Sequence, residues 1–399
     1  MIMITKPIVL ERPERFAKTH EISREKLEAA ASAACKKLRI LAEKNGSTVF
    51  PGTCSVDKKY VFDINKNWEC GMYTGCYWLA YLLTGDEYFR KVAEEQTATY
   101  EQRIEQLIGM DDHDVGFVFT PACVAQYKVT GDEKARELAL RACEYFYDHS
   151  YSKEGKFIIR LWKSWDKGSG CRTMMDSLMN APLLFWAAEQ TGRREYFDAA
   201  LAHNETTAKY LIREDGSSYH HYQFDPATAG PVRGVTLQGL SDESTWSRGH
   251  SWGVYGFPIA YSYSRADFIP ELHRGITYYM LNKLPEDLIP HWDYDLAGTD
   301  APRDSSAGVC AVCGMLEMAS MLPNDAEQRP IFESAAAQML ESVIDNCTGD
   351  IGEEYDGLIC HVTHAHPQGA GIDECAVYGD YFYLEALARY LLPDFKKFW

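Results

Sequence analysis

Apolar residues recur at intervals of three and four along most of the chain, which is the spacing of one buried face of an α-helix. Short turns interrupt these stretches, and several of them carry Thr-Gly-Asp or a close variant. Glycine suits the left-handed residue that ends many helices, and aspartate suits the cap of the next helix. The pattern therefore predicts helical hairpins around residues 83–86, 129–132 and 190–192, with looser versions around residues 264–267 and 323–325.

An earlier helical unit at residues 25–46 brings the predicted number of hairpins to six. Such hairpins must stack, because none of them can bury its apolar face alone. An open array needs polar caps at its ends, whereas the last predicted helix, residues 381–392, is strongly apolar. We therefore expect one all-α domain over residues 1–399, closed into a ring.

Residues 214–249 depart from the helical pattern and form a long stretch without helical periodicity. Within it, residues 218–225 and 231–238 could pair as a short β-hairpin. Long irregular loops inside compact domains are usually functional, and this one is rich in aromatic residues, histidine, arginine and glutamine. The stretch is therefore a candidate part of a functional site.

Composition and charge exclude several classes of protein. The 399 residues include 58 acidic and 40 basic ones, which gives a formal net charge of −18. Binders of nucleic acid or of anionic membranes need a cationic surface, so neither partner is expected. No apolar run reaches transmembrane length and the N-terminus lacks the pattern of a secretion signal, so we expect a cytoplasmic protein.

The 12 cysteines are scattered, and most have the apolar neighbours of small core residues. Only Cys310 and Cys313 have the C-x-x-C spacing, and they lie in a continuous apolar helix pattern. We expect a buried structural pair there, with metal or redox chemistry as the alternative. His361, His364 and His366 also leave a metal site open, although a polar loop near the binding site is the favoured interpretation.

Two aspartates are candidates for acid–base chemistry. Asp114 lies in an acidic run, and crowded carboxylates raise one another's pKa. Asp176 lies in an almost wholly apolar run, where a carboxylate needs a partner or a function. The alternatives are structural: an N-cap or solvated loop for Asp114, and a cap for the helix that Pro182 begins for Asp176. About 62 residues, one repeat, separate the two aspartates, so successive hairpins could bring them together.

Residues 245–257 form a third candidate segment, which combines tryptophan with arginine, histidine and glycine. Arginine can bind a carboxylate through two parallel hydrogen bonds, and the faces of tryptophan rings stack on sugars. The chain lacks the motifs of serine hydrolases, zinc proteases and P-loop proteins. The residues therefore indicate carbohydrate chemistry performed by carboxylates, but they do not name the substrate.

Four ordered motifs resemble glycoside hydrolase family 88, the unsaturated glucuronyl hydrolases. They lie at residues 113–117, 175–184, 247–257 and 377–381, and the similarity extends from about Trp68 to the end of the chain. The resemblance implies an (α/α)6 barrel, which agrees with the six predicted hairpins. It also implies a substrate that a polysaccharide lyase has left with a 4,5-unsaturated uronic acid at its non-reducing end. No cofactor and no metal ion are expected.

The resemblance further implies that the reaction begins with hydration of the C4=C5 double bond. Asp176 would be the general acid and base, and Asp114 would be a second essential acid. His220 is preferred to His221 because of its 18-residue spacing from Gln238. The positions that correspond to the family's substrate-binding residues are Trp68, His113, Trp162, His220, Gln238, Arg248, Trp252 and Tyr378.

Two departures from the family are visible. His250 stands where the family often has glutamine. The loop that contains serine and lysine in members acting on sulfated disaccharides corresponds here to residues 361–377, which include neither lysine nor arginine. A strong demand for sulfate is therefore not expected, although histidines could contribute at lower pH.

The predicted substrates are unsaturated disaccharides from hyaluronan, chondroitin or heparin-type polymers. Two alternatives stay open: an unsaturated rhamnogalacturonyl hydrolase that acts on pectin fragments, and a non-catalytic sugar-binding barrel. The net charge of −18 argues against broad polyanion binding but permits one monoanionic sugar, held at short range by Arg248, His113 and His220. The sequence predicts no oligomeric state.

Overall fold

The computed structural model describes residue 4 and residues 7–159, 171–348 and 355–399. This part of the chain is predominantly helical, as predicted, with 14 α-helices and seven short β-strands. The helices form two groups, which differ in how much of their surface is buried.

Six helical segments of the described chain are buried along most or all of their length. One of them is interrupted at Thr120–Val124 by a turn of π-helix, where Pro121 has no amide hydrogen to donate. The six are α2 (Cys70–Thr84), α4 (Val115–Phe119) continued by α5 (Ala125–Thr130), α7 (Ser177–Asn180) continued by α8 (Pro182–Thr191), α10 (Ser247–Ser264), α12 (Ser305–Met321) and α14 (Val377–Leu391).

The other helices bury one face and expose the other, as the spacing of apolar residues predicts. They are α1 (Arg24–Asn45), α3 (Glu87–Glu105), α6 (Glu133–Ser150), α9 (Arg194–Tyr210), α11 (Ile269–Lys283) and α13 (Gln328–Cys347). Along the chain they alternate with the buried segments, so that each connection joins a buried helix to an amphipathic one.

Contacts among the buried helices run from each one to the next. Helix α2 packs against α4 and α5, α4 against α7, and both α7 and α8 against α10. Helix α10 packs against α12, and α12 against α14. Helix α14 then contacts α2, so the last buried helix packs against the first.

The predicted turns have the predicted chemistry. Gly85, Gly131 and Gly192 end α2, α5 and α8 with φ angles of 69°, 75° and 72°. The carboxylates of Asp86 and Asp132 then accept hydrogen bonds from backbone N–H groups at the start of α3 and α6. One expectation was wrong: the early unit at residues 25–46 is a single helix, α1, which packs against α14 and α2 instead of forming a hairpin of its own.

Three small antiparallel sheets add to the helices, and of these the sequence predicted only the hairpin in the irregular stretch. The strands are β1 (Phe50–Pro51) with β2 (Phe62–Asp63), β3 (Tyr151–Ser152) with β4 (Phe157–Ile158), and β5 (Arg172–Met174) with β6 (His221–Phe224) and β7 (Pro231–Val235). Strands β6 and β7 confirm the predicted hairpin in the irregular stretch. Strand β5 pairs with β6 and leads into Asp176, so the irregular stretch supports a candidate catalytic residue.

Cys310 and Cys313 are fully buried free thiols on α12, in agreement with the structural interpretation. Their Sγ atoms lie 3.5 Å from the backbone oxygens of Ser251 and Phe382, and burial raises the pKa of both thiols well above the usual value. Among the helices described, none is both long and apolar enough to cross a membrane.

Candidate active site

A cavity of about 390 Å³ lies where the buried helices begin. Trp68 comes shortly before α2, Asp114 immediately before α4 and Asp176 immediately before α7, while Arg248 is the second residue of α10. The predicted site residues that line the cavity are Trp68, His113, Asp114, Asp176, Gln238, Arg248 and Trp252. Sequence reasoning did not assign a role to the other residues that line it: Asp112, Phe117, Met174, Leu237, Trp246, His364, Ala365 and Gln368.

The two candidate acids converge on one histidine. The Nε2 atom of His113 lies 3.4 Å from Oδ1 of Asp114 and 3.3 Å from Oδ1 of Asp176. Both aspartates occupy helix N-cap positions, yet neither side chain makes a capping hydrogen bond. The capping alternative is therefore not realised in the structure, and both carboxylates line the cavity.

His113 is a buried cation among three carboxylates. Its Nδ1 atom lies 2.5 Å from Oδ1 of Asp112, and its other ring nitrogen faces Asp114 and Asp176. Burial opposes the charge, but the fields of the three aspartates outweigh it and raise the pKa of His113 to about 10. The imidazolium therefore partly neutralises the acids that surround it.

A close contact between α4 and α7 fixes the separation of the acids. The side-chain oxygen of Asn180 accepts a hydrogen bond from the Phe117 N–H at 2.8 Å, and its amide donates to Oδ1 of Asp114 at 3.3 Å. Gly116 permits this approach, because a Cβ atom there would lie 2.4 Å from the backbone of Asn180. The sequence analysis assigned no role to Asn180, although this residue lies in the family motif that contains Asp176.

Arg248 has a partner that the sequence did not reveal. It is almost fully buried and donates to Asp304 at 2.6 Å, to the carbonyl of Thr363 at 2.8 Å and to the carbonyl of His364. Its guanidinium lies 4.6 Å from the ring centres of both Trp246 and Tyr378. Arg248 lines the cavity, but Asp304 already balances its charge.

Aromatic side chains around the cavity form two layers, which together make up its aromatic wall. Trp68 lines the cavity and stacks on Tyr378, with ring centres 5.6 Å apart and planes 16° apart. Tyr378 lies behind Trp68, fully buried and outside the cavity lining, and its packing against sugar stays a prediction. Trp252 packs against Phe117 with a centroid distance of 5.3 Å. The predicted platform Trp162 lies outside the described residues.

His220 also packs behind the aromatic wall and is not among the residues that line the cavity, so its contact with the sugar stays a prediction. Its ring lies 4.4 Å from that of Trp246, and its Nδ1 atom accepts hydrogen bonds from the N–H groups of Leu237 and Gln238. Gln238 donates its side-chain amide to the His364 carbonyl at 2.8 Å and lines the cavity. The 18-residue spacing therefore identified a real contact between His220 and Gln238.

The three histidines of residues 361–366 have separate environments. His364 lines the cavity, and its enclosed position, followed by the charge of Arg248, lowers its pKa to about 3. Of the histidines expected to contribute at lower pH, His364 therefore gains charge only in strongly acidic solution. His361 pairs with Asp373, and His366 stacks on Trp292, so the three side chains do not form one metal site. The interpretation as a polar loop beside the binding site is confirmed for His364.

Among the described residues, Asp112, His113 and Asp114 form the group whose potential metal-ligating atoms lie close together, within 4.8 Å. Each ring nitrogen of His113 faces a carboxylate, which is the geometry of an imidazolium rather than of a metal ligand. The group fits a protonated histidine better than a metal ion.

His250 lies away from the cavity. Its Nε2 atom donates to the carbonyl of Ile276 at 2.8 Å, and its Nδ1 atom accepts from the hydroxyl of Ser218 at 2.9 Å. Burial lowers its pKa to about 4, so it is a neutral link between α10, α11 and the stretch that leads to β6. The replacement of the family's glutamine therefore changes packing rather than the cavity wall.

Buried helices that present paired carboxylates between aromatic walls in one cavity define a carbohydrate-active enzyme. Comparison with known proteins gives the particular group. Residues 49–293 match the family model described as Glycosyl Hydrolase Family 88. The chain belongs to this family, as the sequence motifs predicted.

The relatives cover nearly the whole chain. An unsaturated chondroitin disaccharide hydrolase from Streptococcus pyogenes serotype M1 is 36% identical over 391 residues, 98% of this chain and 97% of that protein. An unsaturated glucuronyl hydrolase from Bacillus sp. (strain GL1) is 37% identical over 343 residues, 85% and 90% of the two chains. The crystal structure of an unsaturated glucuronyl hydrolase from Streptococcus agalactiae matches with a TM-score of 0.93, 36% identity and 99% coverage of both chains.

Proposed function

We propose that this glycoside hydrolase releases the 4,5-unsaturated uronic acid from the non-reducing end of glycosaminoglycan disaccharides made by lyases. The names of its relatives support this substrate class, and one S. agalactiae structure that is 34% identical to this chain contains the disaccharide dGlcA-GalNAc6S. The observation that carries the proposal is the convergence of Asp114 and Asp176 on His113 in the cavity. A sugar-binding protein without catalysis gains nothing from such a costly group of charges.

In the proposed reaction Asp176 acts first as an acid and then as a base. Its proton passes to C4 of the unsaturated ring, and the resulting carboxylate takes a proton from the water that adds at C5. The hemiketal formed at C5 opens to a ketone and leaves a hemiacetal at C1. Collapse of this hemiacetal breaks the C1–O bond to the partner sugar, which takes up the proton, and the former unsaturated sugar leaves as a keto acid with an aldehyde at C1. Asp176 recovers its proton, so each cycle consumes one water molecule.

The neighbours of Asp176 have supporting roles in this proposal. Asp114, held by Asn180, would orient substrate hydroxyl groups, and the imidazolium of His113 would counter the charge of both acids. Trp68 and Trp252 would pack against the sugar. Gln238 would offer its side-chain oxygen, because its amide group already donates to His364.

The direction of the buried helices explains how an acidic protein can hold an anionic sugar. The partial positive charges of four helix N-termini lie beside the cavity, since lining residues come one or two positions before α2, α4, α7 and α10. This local field, together with the charge of Arg248, favours the binding of one sugar carboxylate at short range. The net charge of −18 acts over the whole surface and disfavours long acidic polymers.

Among the described residues no lysine lines the cavity, Arg248 is paired with Asp304, and His364 is neutral. A sulfate on the second sugar would therefore meet no unpaired cation among the described lining residues. We infer a preference for unsulfated disaccharides, such as those from hyaluronan or unsulfated chondroitin, over heavily sulfated heparin-type ones.

We also propose that the six buried and six amphipathic helical segments form a single (α/α)6-barrel domain over residues 1–399. The packing of α14 against α2 supports closure of the ring. One continuous hydrophobic core, with buried residues from Leu10 to Trp399, supports a single domain.

The test is the loss of the ultraviolet absorbance of the conjugated double bond. The purified enzyme is given unsaturated disaccharides from hyaluronan, from chondroitin with and without sulfate, from heparin and from pectin. We expect fast loss with the unsulfated glycosaminoglycan products and at least about tenfold lower kcat/KM with sulfated ones, about the effect of one lost charge-assisted contact. Unchanged absorbance across the panel would refute the function, and preference for the pectin product would favour rhamnogalacturonyl hydrolysis.

A further inference from the structure

The far ends of the buried helices converge on the segment formed by residues 392–399. A second cavity surrounds this segment, and its lining includes residues from the last turns of α2, α5, α8, α10, α12 and α14. Trp399 is only 1% exposed, so its indole is inserted among the helices. The segment therefore closes the end of the helical assembly opposite the active-site cavity.

Several polar contacts hold the segment in place. The ammonium of Lys128 donates to the backbone oxygens of Lys397, Phe398 and Trp399 at 3.3, 2.8 and 3.2 Å. Lys397 also pairs with Glu317 at 2.7 Å. These contacts come from helices on different sides of the assembly, so they fix the position of the segment.

The indole of Trp399 has a defined orientation. Its Nε1 atom donates to the buried carboxylate of Glu385 at 3.0 Å. Its ring stacks on Phe382, with centroids 6.1 Å apart and planes 17° apart, and meets Tyr381 edge-on at 5.7 Å. A buried indole with a satisfied N–H and several ring neighbours is held rigidly.

The same indole reaches the floor of the active-site cavity. Its ring centre lies 6.0 Å from that of Phe117, edge to face, and Phe117 lines that cavity. Phe117 packs against Trp252 at 5.3 Å, and Phe382 packs against Trp252 at 5.6 Å. Two aromatic routes therefore connect Trp399 to Trp252, which also lines the active-site cavity.

From this geometry we infer that Trp399 is a positioning residue for the active site: it supports Phe117 and Phe382 from below and thereby sets the position of Trp252. The inference rests on the proposed hydrolase function, in which Trp252 packs against the sugar. Removal of the indole leaves a space beneath both phenylalanines, and small displacements of binding groups have large kinetic effects.

The kinetic test compares Trp399→Ala with Phe398→Ala on the best disaccharide of the panel. Phe398 is equally buried in the same segment, but among described residues its ring contact is with Phe395 and not with the cavity floor. We expect KM to rise about tenfold in Trp399→Ala and to stay within about twofold in Phe398→Ala. A purely structural role of Trp399 would lower the folded fraction, and thus the apparent kcat, without changing KM, and that outcome would overturn the inference.

Chemical rescue adds a second readout. Added indole can occupy the space left in Trp399→Ala, as small aromatic molecules occupy other apolar cavities. We expect indole to restore KM in Trp399→Ala and to have no effect on Phe398→Ala. If Trp399→Ala does not fold, Trp399→Phe and Trp399→Leu replace it, with a larger increase in KM for leucine; unchanged KM in both would contradict the inference.

A readout independent of turnover separates the two proposals. Enzyme labelled with 5-fluorotryptophan is examined by ¹⁹F NMR, and the Trp252 signal is assigned from its loss in Trp252→Phe. Trp399→Ala should shift that signal and Phe398→Ala should not. If the wild-type enzyme turns over no disaccharide, the proposed function fails. The Trp252 signal still tests whether Trp399 sets the position of Trp252, because an unchanged signal in Trp399→Ala would refute that inference.

Discussion

The two ends of the buried helices differ in how their charged groups are satisfied. Where the helices begin, Nε2 of His113 and Oδ1 of Asp176 lie 3.3 Å apart without hydrogen-bond geometry, and neither atom has another hydrogen-bond partner in the described residues. Where the helices end, Arg389 bonds Glu317 and Glu385, and Lys397 bonds Glu317. The polar atoms where the helices begin are available to bind a substrate, whereas those where the helices end hold the helices together.

Helix direction accounts for part of this difference. Carboxylates are favoured near helix N-termini and cations near C-termini. The active-site acids lie at the N-termini, and Lys128, Arg389 and Lys397 lie at or beyond the C-terminal ends. One set of parallel dipoles therefore suits an anionic ligand at one end and basic side chains at the other.

The largest expected effect separates activity from stability. Asp176→Asn should lower kcat about 10³- to 10⁴-fold, because the group that we propose transfers the proton is lost. The free energy of unfolding should change by less than about 1 kcal/mol, since Asp176 is partly exposed and the lost attraction to His113 is offset by reduced repulsion with Asp114. Absorbance-based kinetics and urea unfolding measure the two quantities.

Glu317→Gln at the opposite end is the matched variant for Asp176→Asn. It removes the charge that pairs with Arg389 and Lys397, so we expect a loss of about 3 kcal/mol in the free energy of unfolding and kcat within about twofold of wild type. Near-normal kcat in Asp176→Asn, or a large loss of kcat in Glu317→Gln, would contradict the division of activity and stability between the two ends of the buried helices.

The pH dependence of stability gives an effect of intermediate size with opposite signs at the two ends. The pKa of His113 is raised from 6.5 to about 10, so its stabilising contribution is complete below about pH 6.5 and is lost as pH rises toward 10. Arg389 and Lys397 outweigh burial and lower the pKa of Glu317 below 4.5, so its contribution is complete above about pH 4.5 and is lost as pH falls.

Urea unfolding between about pH 3 and 10 measures both effects. His113→Gln should remove an alkaline decline whose slope approaches about 1.4 kcal/mol per pH unit, and it should leave the acid side unchanged. Glu317→Gln should flatten only the acid side. A His113→Gln profile parallel to that of wild type at alkaline pH would show that His113 is not an imidazolium in the folded enzyme.

The smallest effect is expected for His250→Gln. Glutamine has one amide donor and one carbonyl acceptor, so it can replace the bonds to Ile276 and Ser218. The free energy of unfolding should therefore fall by about 1 kcal/mol or less, with kcat/KM unchanged. A tenfold change in KM would show that His250 contributes to substrate binding. The substrate-binding region would then extend further along α10 than the structure indicates.

Local sequence patterns predicted the elements well because helix periodicity and turn chemistry are local properties. The Gly85 and Asp86 turn, the β6–β7 hairpin and the convergence of Asp114 and Asp176 all follow from spacing along the chain. The pairing of α1 with α14 does not, because it depends on how the first and last helices meet in space. The early unit was therefore predicted as a hairpin.

The residues that pair with buried charges were the main feature of the site that the sequence did not predict. Arg248 and Asp304 are 56 residues apart, and no periodicity links them. Tyr378 and His220 were assigned to the sugar by family resemblance, yet each packs behind a tryptophan that lines the cavity. Sequence can identify an aromatic residue near a site, but only the packing decides whether it faces the ligand.

Gly116 has a consequence for how this enzyme could change during evolution or engineering. It is not among the residues that line the active-site cavity and carries no functional group, yet any side chain there would meet the Asn180 backbone at 2.4 Å and push α4 away from α7. That displacement would separate the two acids without altering either of them. A mutant library confined to positions that line the cavity would omit this residue, although it allows the close approach of the two proposed catalytic acids.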